Sequence, residues 1–191
     1  MIARYSRVLV DSTVGDLWFL GGPYLSDGRA VDARLFTRCE TFANVYEHLS
    51  LPIQRPGRVG RLTFGAFDMP VVDRALADSF SAGAGNDIQL VPAAAEDGTE
   101  LFIVNVLPCV DCIDETKTVG EKWTARDGRP DKIGRYRTIV HLFIDPNRVH
   151  HDIFRVSQWK IALIVSDRFA DVAGLAAIEG IRLEPVTWTA G

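Results

Sequence analysis

Cysteine, histidine and carboxylate side chains that could do chemistry gather at two places in this sequence. The first is Cys109-Val110-Asp111-Cys112, a C-x-x-C. A zinc site needs four ligands, usually two such pairs or one pair with two suitably spaced histidines. There is one pair, and His150 and His151 are adjacent, so no metal site is predicted. Local pairing of the two thiols or simple packing is the expectation. A thioredoxin-type role lacks its strand, C-x-x-C and helix context. Asp111, Asp114 and Glu115 form a carboxylate cluster close by, but their spacing matches no Ca²⁺ loop, and a solvated loop is the default. The second place is His150-His151 with Arg155, which suits acid–base chemistry or phosphate binding. An apolar strand follows at once, so a structural role is expected. Arg155 should lie in solvent or pair with a carboxylate such as Asp167 or Glu184. There is no G-x-S-x-G elbow, Gly83-Ala84-Gly85 lacks the third glycine of a dinucleotide fingerprint, and Ser166 reads as a helix cap. No catalytic constellation assembles. The expectation is a protein that is not an enzyme and needs no cofactor.

The stretch Lys117 to Arg137 is the least structured-looking region, and its residue types suit binding. Lys122, Arg126, Arg129, Lys132, Arg135 and Arg137 are interleaved with Trp123 and Tyr136. Arg, Trp and Tyr are the types enriched at interface hot spots. Trp123, Arg126, Arg129, Arg135 and Tyr136 are therefore the candidate partner-binding residues. A solvated loop whose aromatics pack back on the domain is the plainer alternative. Basic residues with aromatics also suit single-stranded nucleic acid, but the chain carries a net charge of −4. That balance disfavours nucleic acid and is compatible with a protein partner.

The elements that would position these residues are mostly strands. Ile153–Val156 and Ile161–Val165 are apolar runs separated by Ser157-Gln158-Trp159-Lys160. Ser166 or Asp167 then caps a helix with Phe169, Val172, Ala173 and Ala176 on one face, ended by Glu179-Gly180. Ile181–Leu183 is a strand stopped by Pro185, which marks an edge. Upstream, Tyr5–Val10, Leu17–Leu20, Leu62–Phe64, Ile88–Val91, Leu101–Leu107 and Thr138–Ile144 read as strands, with Leu101–Leu107 central and buried on both faces. Asp68 is placed as the cap of a helix from Pro70 to Phe80. Arg38–Ser50 reads as either a short helix or an extended segment. Ile88-Gln89-Leu90-Val91-Pro92 and Ile181-Arg182-Leu183-Glu184-Pro185 each follow a helix, a faint echo for which chance is the preferred reading. The fold class is α+β, a mixed, largely antiparallel sheet flanked by helices.

With 191 residues, 47% of them hydrophobic, the chain is long enough to bury a core without disulfides or metal. A single domain over residues 1–191 is expected, with an amino-terminal sub-unit over about 1–85. Three cysteines fit a reducing cytosol. The first residues show no secretory h-region, and no apolar run is long enough to span a membrane. The expected location is cytoplasmic.

His150-His151-Asp152-Ile153-Phe154-Arg155, Ala162-Leu163-Ile164-Val165-Ser166-Asp167-Arg168-Phe169, Gly174-Leu175 and Gly180 to Val186 carry a resemblance. Together they are similar to the carboxy-terminal signature of immunity protein family eleven of bacterial polymorphic toxin systems. Val104-Asn105-Val106-Leu107 with Val110-Asp111 and Ile113-Asp114 resembles the central segment of that family. These residues are mostly structural in type. The resemblance implies a non-enzymatic inhibitor that binds a cognate toxin, encoded by an adjacent gene, and blocks it by steric occlusion. It also implies that the binding surface lies away from the shared scaffold, since such surfaces diverge with their toxins. The alternatives are an enzyme or small-ligand domain built around His150, His151 and the Asp111–Glu115 cluster, and a nucleic-acid module using the Lys122–Arg137 loop.

Overall fold

Short runs of Val, Ile, Leu and Phe cut by Gly, Pro and Asp favour strands. Strands dominate the computed structural model, which describes residues 4–43 and 48–188. In chain order come β1 (Tyr5–Val10), β2 (Phe19–Leu20), β3 (Leu49–Leu51), β4 (Ile53–Arg55), β5 (Leu62–Gly65), β6 (Met69–Val72), helix α1 (Arg74–Ala84) and β7 (Ile88–Ala95). β8 (Glu100–Val106), β9 (Cys109–Val110), β10 (Val119–Lys122), β11 (Tyr136–His141) and β12 (Phe143–Ile144) follow. The last elements are β13 (Ile153–Val156), β14 (Trp159–Ser166), helix α2 (Asp167–Ala173), β15 (Ile181–Pro185) and β16 (Thr187–Trp188).

Two five-stranded sheets carry the fold, ordered β3-β7-β8-β6-β5 and β15-β1-β14-β13-β9. Each is antiparallel apart from one parallel pair at its edge, β3 with β7 and β9 with β13. The α+β class and the largely antiparallel pairing match expectation. The expected single sheet is replaced by two. Among the described residues α1 and α2 are the only α-helices, so the fold is sheet-dominated rather than helix-flanked. β8 is central and its apolar residues are buried on both faces, as its unbroken apolar run predicted. β15 is an edge strand, as Pro185 predicted.

Alternation along the strands divides the interior into three cores. The central one joins α1 and α2 to one face of each sheet. There Phe80 and Phe169 meet edge to face, with ring centroids 5.0 Å apart, a geometry that aromatic quadrupoles favour. The other face of the first sheet is covered by Trp18, Leu20 and Phe36. The other face of the second, with Tyr5, Phe154 and Ile164, is covered by Tyr136, Ile139 and Ile144.

One path is traced twice. The hairpin β5–β6, helix α1 and return strand β7 follow the same course as β13–β14, α2 and β15. In each, the return strand leaves a gap that one antiparallel strand fills, β8 in the first sheet and β1 in the second. Each helix has a side-chain cap: Asp73 accepts from the Leu76 amide at 2.7 Å and Ser166 from the Phe169 amide at 3.1 Å. The echoing segments Ile88–Pro92 and Ile181–Pro185 thus occupy equivalent places.

Both helix boundaries differ from expectation. Pro70 belongs to β6, because Met69-Pro70-Val71-Val72 is buried throughout and pairs with β5 and β8. The cap is Asp73, not Asp68. α2 stops at Gly174, whose φ of 62° is the left-handed cap conformation, well before Gly180. Its inward face is Phe169, Ala170 and Ala173, while Val172 faces solvent. In Arg38–Ser50, residues 49–50 begin β3, whereas 44–47 lie outside the described residues, as do 1–3. Among the described residues no helix is long and apolar enough to cross a membrane.

Candidate functional site: a basic, aromatic cleft

The stretch Lys117–Arg137 has more structure than its composition suggests. β10 pairs with β11, and the connection between them is closed at its base. The Trp123 amide donates to Arg135 O at 2.8 Å and the Gly134 amide to Trp123 O at 3.0 Å. Within it, Thr124 and Asp127 form a capping box around the single turn Ala125–Asp127. The Thr124 amide and hydroxyl both donate to Asp127 Oδ2, at 2.7 and 2.8 Å. Gly128, at φ 65°, releases the chain into a second turn, Pro130–Lys132. The Tyr136 amide then donates to Gln158 O at 3.0 Å, tying the loop to the β13–β14 turn.

Against this loop lies a cleft of about 420 Å³. One wall is the loop and β11, with Trp123, Arg129, Lys132, Arg135, Tyr136 and Arg137. The opposite wall comes from Arg34 and Arg38 beside the short 3-10 helix Ala33–Thr37, and from Phe67 in the β5–β6 turn. Trp159, Lys160 and Ile161 of β14 line it as well. Apart from Asp131, every charged side chain lining the cleft is cationic. Asp131 is itself engaged by Arg129 at 3.0 and 3.1 Å, and that contact holds its carboxyl below the usual range. Arg34, Arg38 and Arg137 have carboxylate partners at Asp32 and Asp127. Among the described residues, Lys132, Arg135 and Lys160 form no ion pair. Cations also sit over the rings: Arg137 and Lys132 over Trp123 at 5.3 and 5.1 Å, Arg34 over Phe67 at 4.9 Å, Arg7 over Trp159 at 4.3 Å. The cleft presents a net positive lining.

Four of the five sequence candidates, Trp123, Arg129, Arg135 and Tyr136, line this cleft together. Arg126 stands on the exposed turn Ala125–Asp127, outside the lining. Sequence reasoning missed Arg34, Arg38, Phe67 and Lys160, which reach the cleft from elements far away in the chain. Phe67 is the most distinctive of them. It is 55% exposed at φ 58°, and Asp68 follows at φ 56°. Side-chain-bearing residues rarely take that conformation. A bulky aromatic held there and left in solvent is the kind of outlier from which function is inferred.

The other candidates do not converge. His151 Nδ1 meets Asp87 Oδ2 at 2.9 Å, and His150 is exposed. The acidic cleft beside Asp111, Asp114 and Glu115 is completed by Asp145 and Arg148, and neither histidine lines it. Of the two expectations for C-x-x-C, packing describes Cys112, which is buried in the core behind the second sheet, while Cys109 is exposed and both thiols are free. Among the described residues no three His, Cys, Asp or Glu side chains are placed to share a metal ion. Arg155 departs furthest from expectation. It is fully buried, pairs with neither Asp167 nor Glu184, and donates to the carbonyls of Lys160 at 2.8 Å and Asp68 at 3.3 Å. Burial lowers its pKa to about 10.

The residues that carry the family resemblance build scaffold instead. Asp152 accepts from the Ser166 hydroxyl and from the Arg168 guanidinium, and Ser166 in turn caps α2. Asn105 is buried between β8 and the segment before residue 43, donating to Glu40 O at 2.8 Å. No curated protein is similar enough in sequence to be matched to the chain. A family model described as immunity protein family (Imm11) matches residues 87–187, more than half the chain. The match spans both the Asn105 segment and the Asp152–Ser166–Arg168 cluster, so the chain belongs to the Imm11 immunity protein family.

Proposed function

We propose that this protein is a single-domain, non-enzymatic inhibitor that binds a cognate bacterial toxin and blocks it by occlusion. In this reading the toxin is encoded by a neighbouring gene, the encounter takes place in the cytoplasm, and the basic, aromatic cleft is the docking surface. Family membership supports the role. The observation that carries the choice of surface is the cleft's charge: a chain of net charge −4 gathers cations around one concavity, and among the described residues Lys132, Arg135 and Lys160 have no ion pair. Such a surface fits an acidic segment of the toxin. Trp123 and Phe67 are the aromatic anchors, with Arg129 and Arg135 as charged partners; Arg126 adds charge at the margin, and Tyr136, buried against the second sheet, backs the surface from behind. Charge complementarity of this kind speeds encounter and excludes wrong partners. Cations already stacked on the Trp123 ring leave less aromatic surface for nucleobases, which favours a protein occupant.

The test is co-expression of the neighbouring gene with and without this protein in a heterologous host. Growth arrest by the neighbour, relief on co-expression and a co-purifying complex support the reading. Arrest that is not relieved would sink it. A complex that survives Lys132→Glu with Arg135→Glu would move the docking surface elsewhere, and tight binding of single-stranded RNA with a steep salt dependence would favour nucleic acid.

A further inference from the structure

Arg155 sits on β13, an interior strand of the second sheet, opposite Leu163 of β14 and Cys109 of β9. Alternation places Phe154 and Val156 in the core behind that sheet and turns Arg155, like Ile153, toward the first sheet. The guanidinium is completely buried. It forms no ion pair among the described residues, and its Nε has no hydrogen-bond partner. Burying a charge in this way is costly, and apolar residues of similar volume are often as stable or more so in its place. Packing alone therefore does not account for an arginine here.

What the guanidinium does hold is backbone from both sheets. Nη1 donates to Lys160 O at 2.8 Å and Nη2 to Asp68 O at 3.3 Å. Lys160 belongs to β14 and Asp68 to the turn between β5 and β6, so one planar fork spans from the second sheet to the first. Lys160 extends the tie, because its Nζ donates to Arg38 O at 2.9 Å. Phe67, Arg38 and Lys160 all line the cleft, whereas Arg155 lies beneath it. The carbonyl that Arg155 grips also ends the two consecutive left-handed residues, Phe67 at φ 58° and Asp68 at φ 56°. Such a backbone persists only where its surroundings over-determine it. The bond to Arg155 is one such restraint, and Arg34 stacked over the Phe67 ring at 4.9 Å is another.

We propose that Arg155 is the positioning residue of the cleft: by bridging Asp68 O and Lys160 O it fixes the Phe67 turn against β14 and presents the Phe67 ring for docking. This rests on the reading of the cleft as the docking surface. A wall that is already fixed spares the complex the cost of ordering it on binding. The fork is what matters. Lysine brings the charge on a single compact head that does not reproduce a planar, two-pronged grip, and methionine brings similar apolar bulk with no donor at all.

Two readouts on the full-length protein separate positioning from docking. The first is limited digestion with chymotrypsin, which cuts after aromatic residues where the backbone opens locally, with fragments mapped by mass spectrometry. Cleavage between Phe67 and Asp68 should rise at least about tenfold in Arg155→Met relative to the other sites, and by less in Arg155→Lys. If Arg155→Met does not fold, Arg155→Lys carries the same comparison. The second is affinity for the product of the neighbouring gene, by calorimetry. Arg155→Met should weaken it about tenfold, and should add little once Phe67→Gly is present. Cleavage at Phe67 that is unchanged, or that rises only in step with every other site, overturns the proposal. An equal loss of affinity with and without Phe67→Gly also overturns it, since Arg155 would not be acting through that ring. Local opening with affinity intact upholds the grip on the turn and overturns instead the docking reading on which the proposal rests.

Discussion

Asn105 and Gln89 stand directly opposite one another on β8 and β7, and Asn105 Nδ2 donates to Gln89 Oε1 at 3.0 Å. Gln89 also accepts from the Phe42 amide at 2.8 Å and donates to Phe42 O at 3.0 Å. Two side-chain amides thereby act as a surrogate strand edge for residues 40–42. Asn105→Ala removes both of its bonds and leaves Glu40 O without its Asn105 donor; a loss of about 1–3 kcal/mol is expected, measured by urea unfolding.

Asp152 sets the acid limit of the carboxy-terminal unit. The hydrogen bond from Arg168, then that from Ser166, holds its carboxyl below the usual range despite partial burial. Its folded pKa is depressed. The stabilisation is therefore fully present above the unfolded value of about 3.9 and is lost as pH falls through the lower folded value. Asp152→Asn should lower stability at neutral pH and flatten the pH dependence below about pH 4. Parallel slopes for the two proteins in acid would show that Asp152 does not carry this effect.

Phe67 should separate stability from binding. Relieving its left-handed backbone with Phe67→Gly removes a steric cost of roughly 1–2 kcal/mol but also the stacking of Arg34. The unfolding midpoint should change little. Affinity for the toxin should fall at least about tenfold, or 1.4 kcal/mol, by isothermal titration calorimetry. Unchanged affinity would remove Phe67 from the docking surface.

Charge reversal should be graded by position. Lys132→Glu with Arg135→Glu acts inside the cleft on cations that no carboxylate among the described residues neutralises. It should slow association and weaken its dependence on salt. Arg126→Glu, on the exposed turn outside the lining, should have a smaller effect in the same stopped-flow measurement. Equal effects would mean that net charge alone is sensed.

What the sequence made legible is what local periodicity encodes. Ser166 as a cap, the β13–β14 hairpin, the buried run Leu101–Val106 and Pro185 as an edge marker depend on neighbours a few residues away. Gly174 gives no stop signal in the sequence because Ala176 continues the stripe of Phe169, Val172 and Ala173 beyond it. Pro70 reads as helical from sequence because Val71 and Val72 fit a helical stripe as well as a strand. The loop wall of the cleft was visible from interleaved Arg, Trp and Tyr. The opposite wall was not, since Arg34, Arg38, Phe67 and Lys160 meet it only through the packing of separate elements.

The place of β1 has a consequence for how the protein comes into being. Its partners are β14 and β15, with Ser6 opposite Pro185 and Val10 opposite Ile181. On a ribosome adding about 5–20 residues per second, β1 waits for the much later β14 and β15 before its sheet can close. Contacts so distant in sequence also make closure intrinsically slow. The second sheet therefore closes only once β15 has been made: a chain stalled before Ile181 keeps β1 without that neighbour.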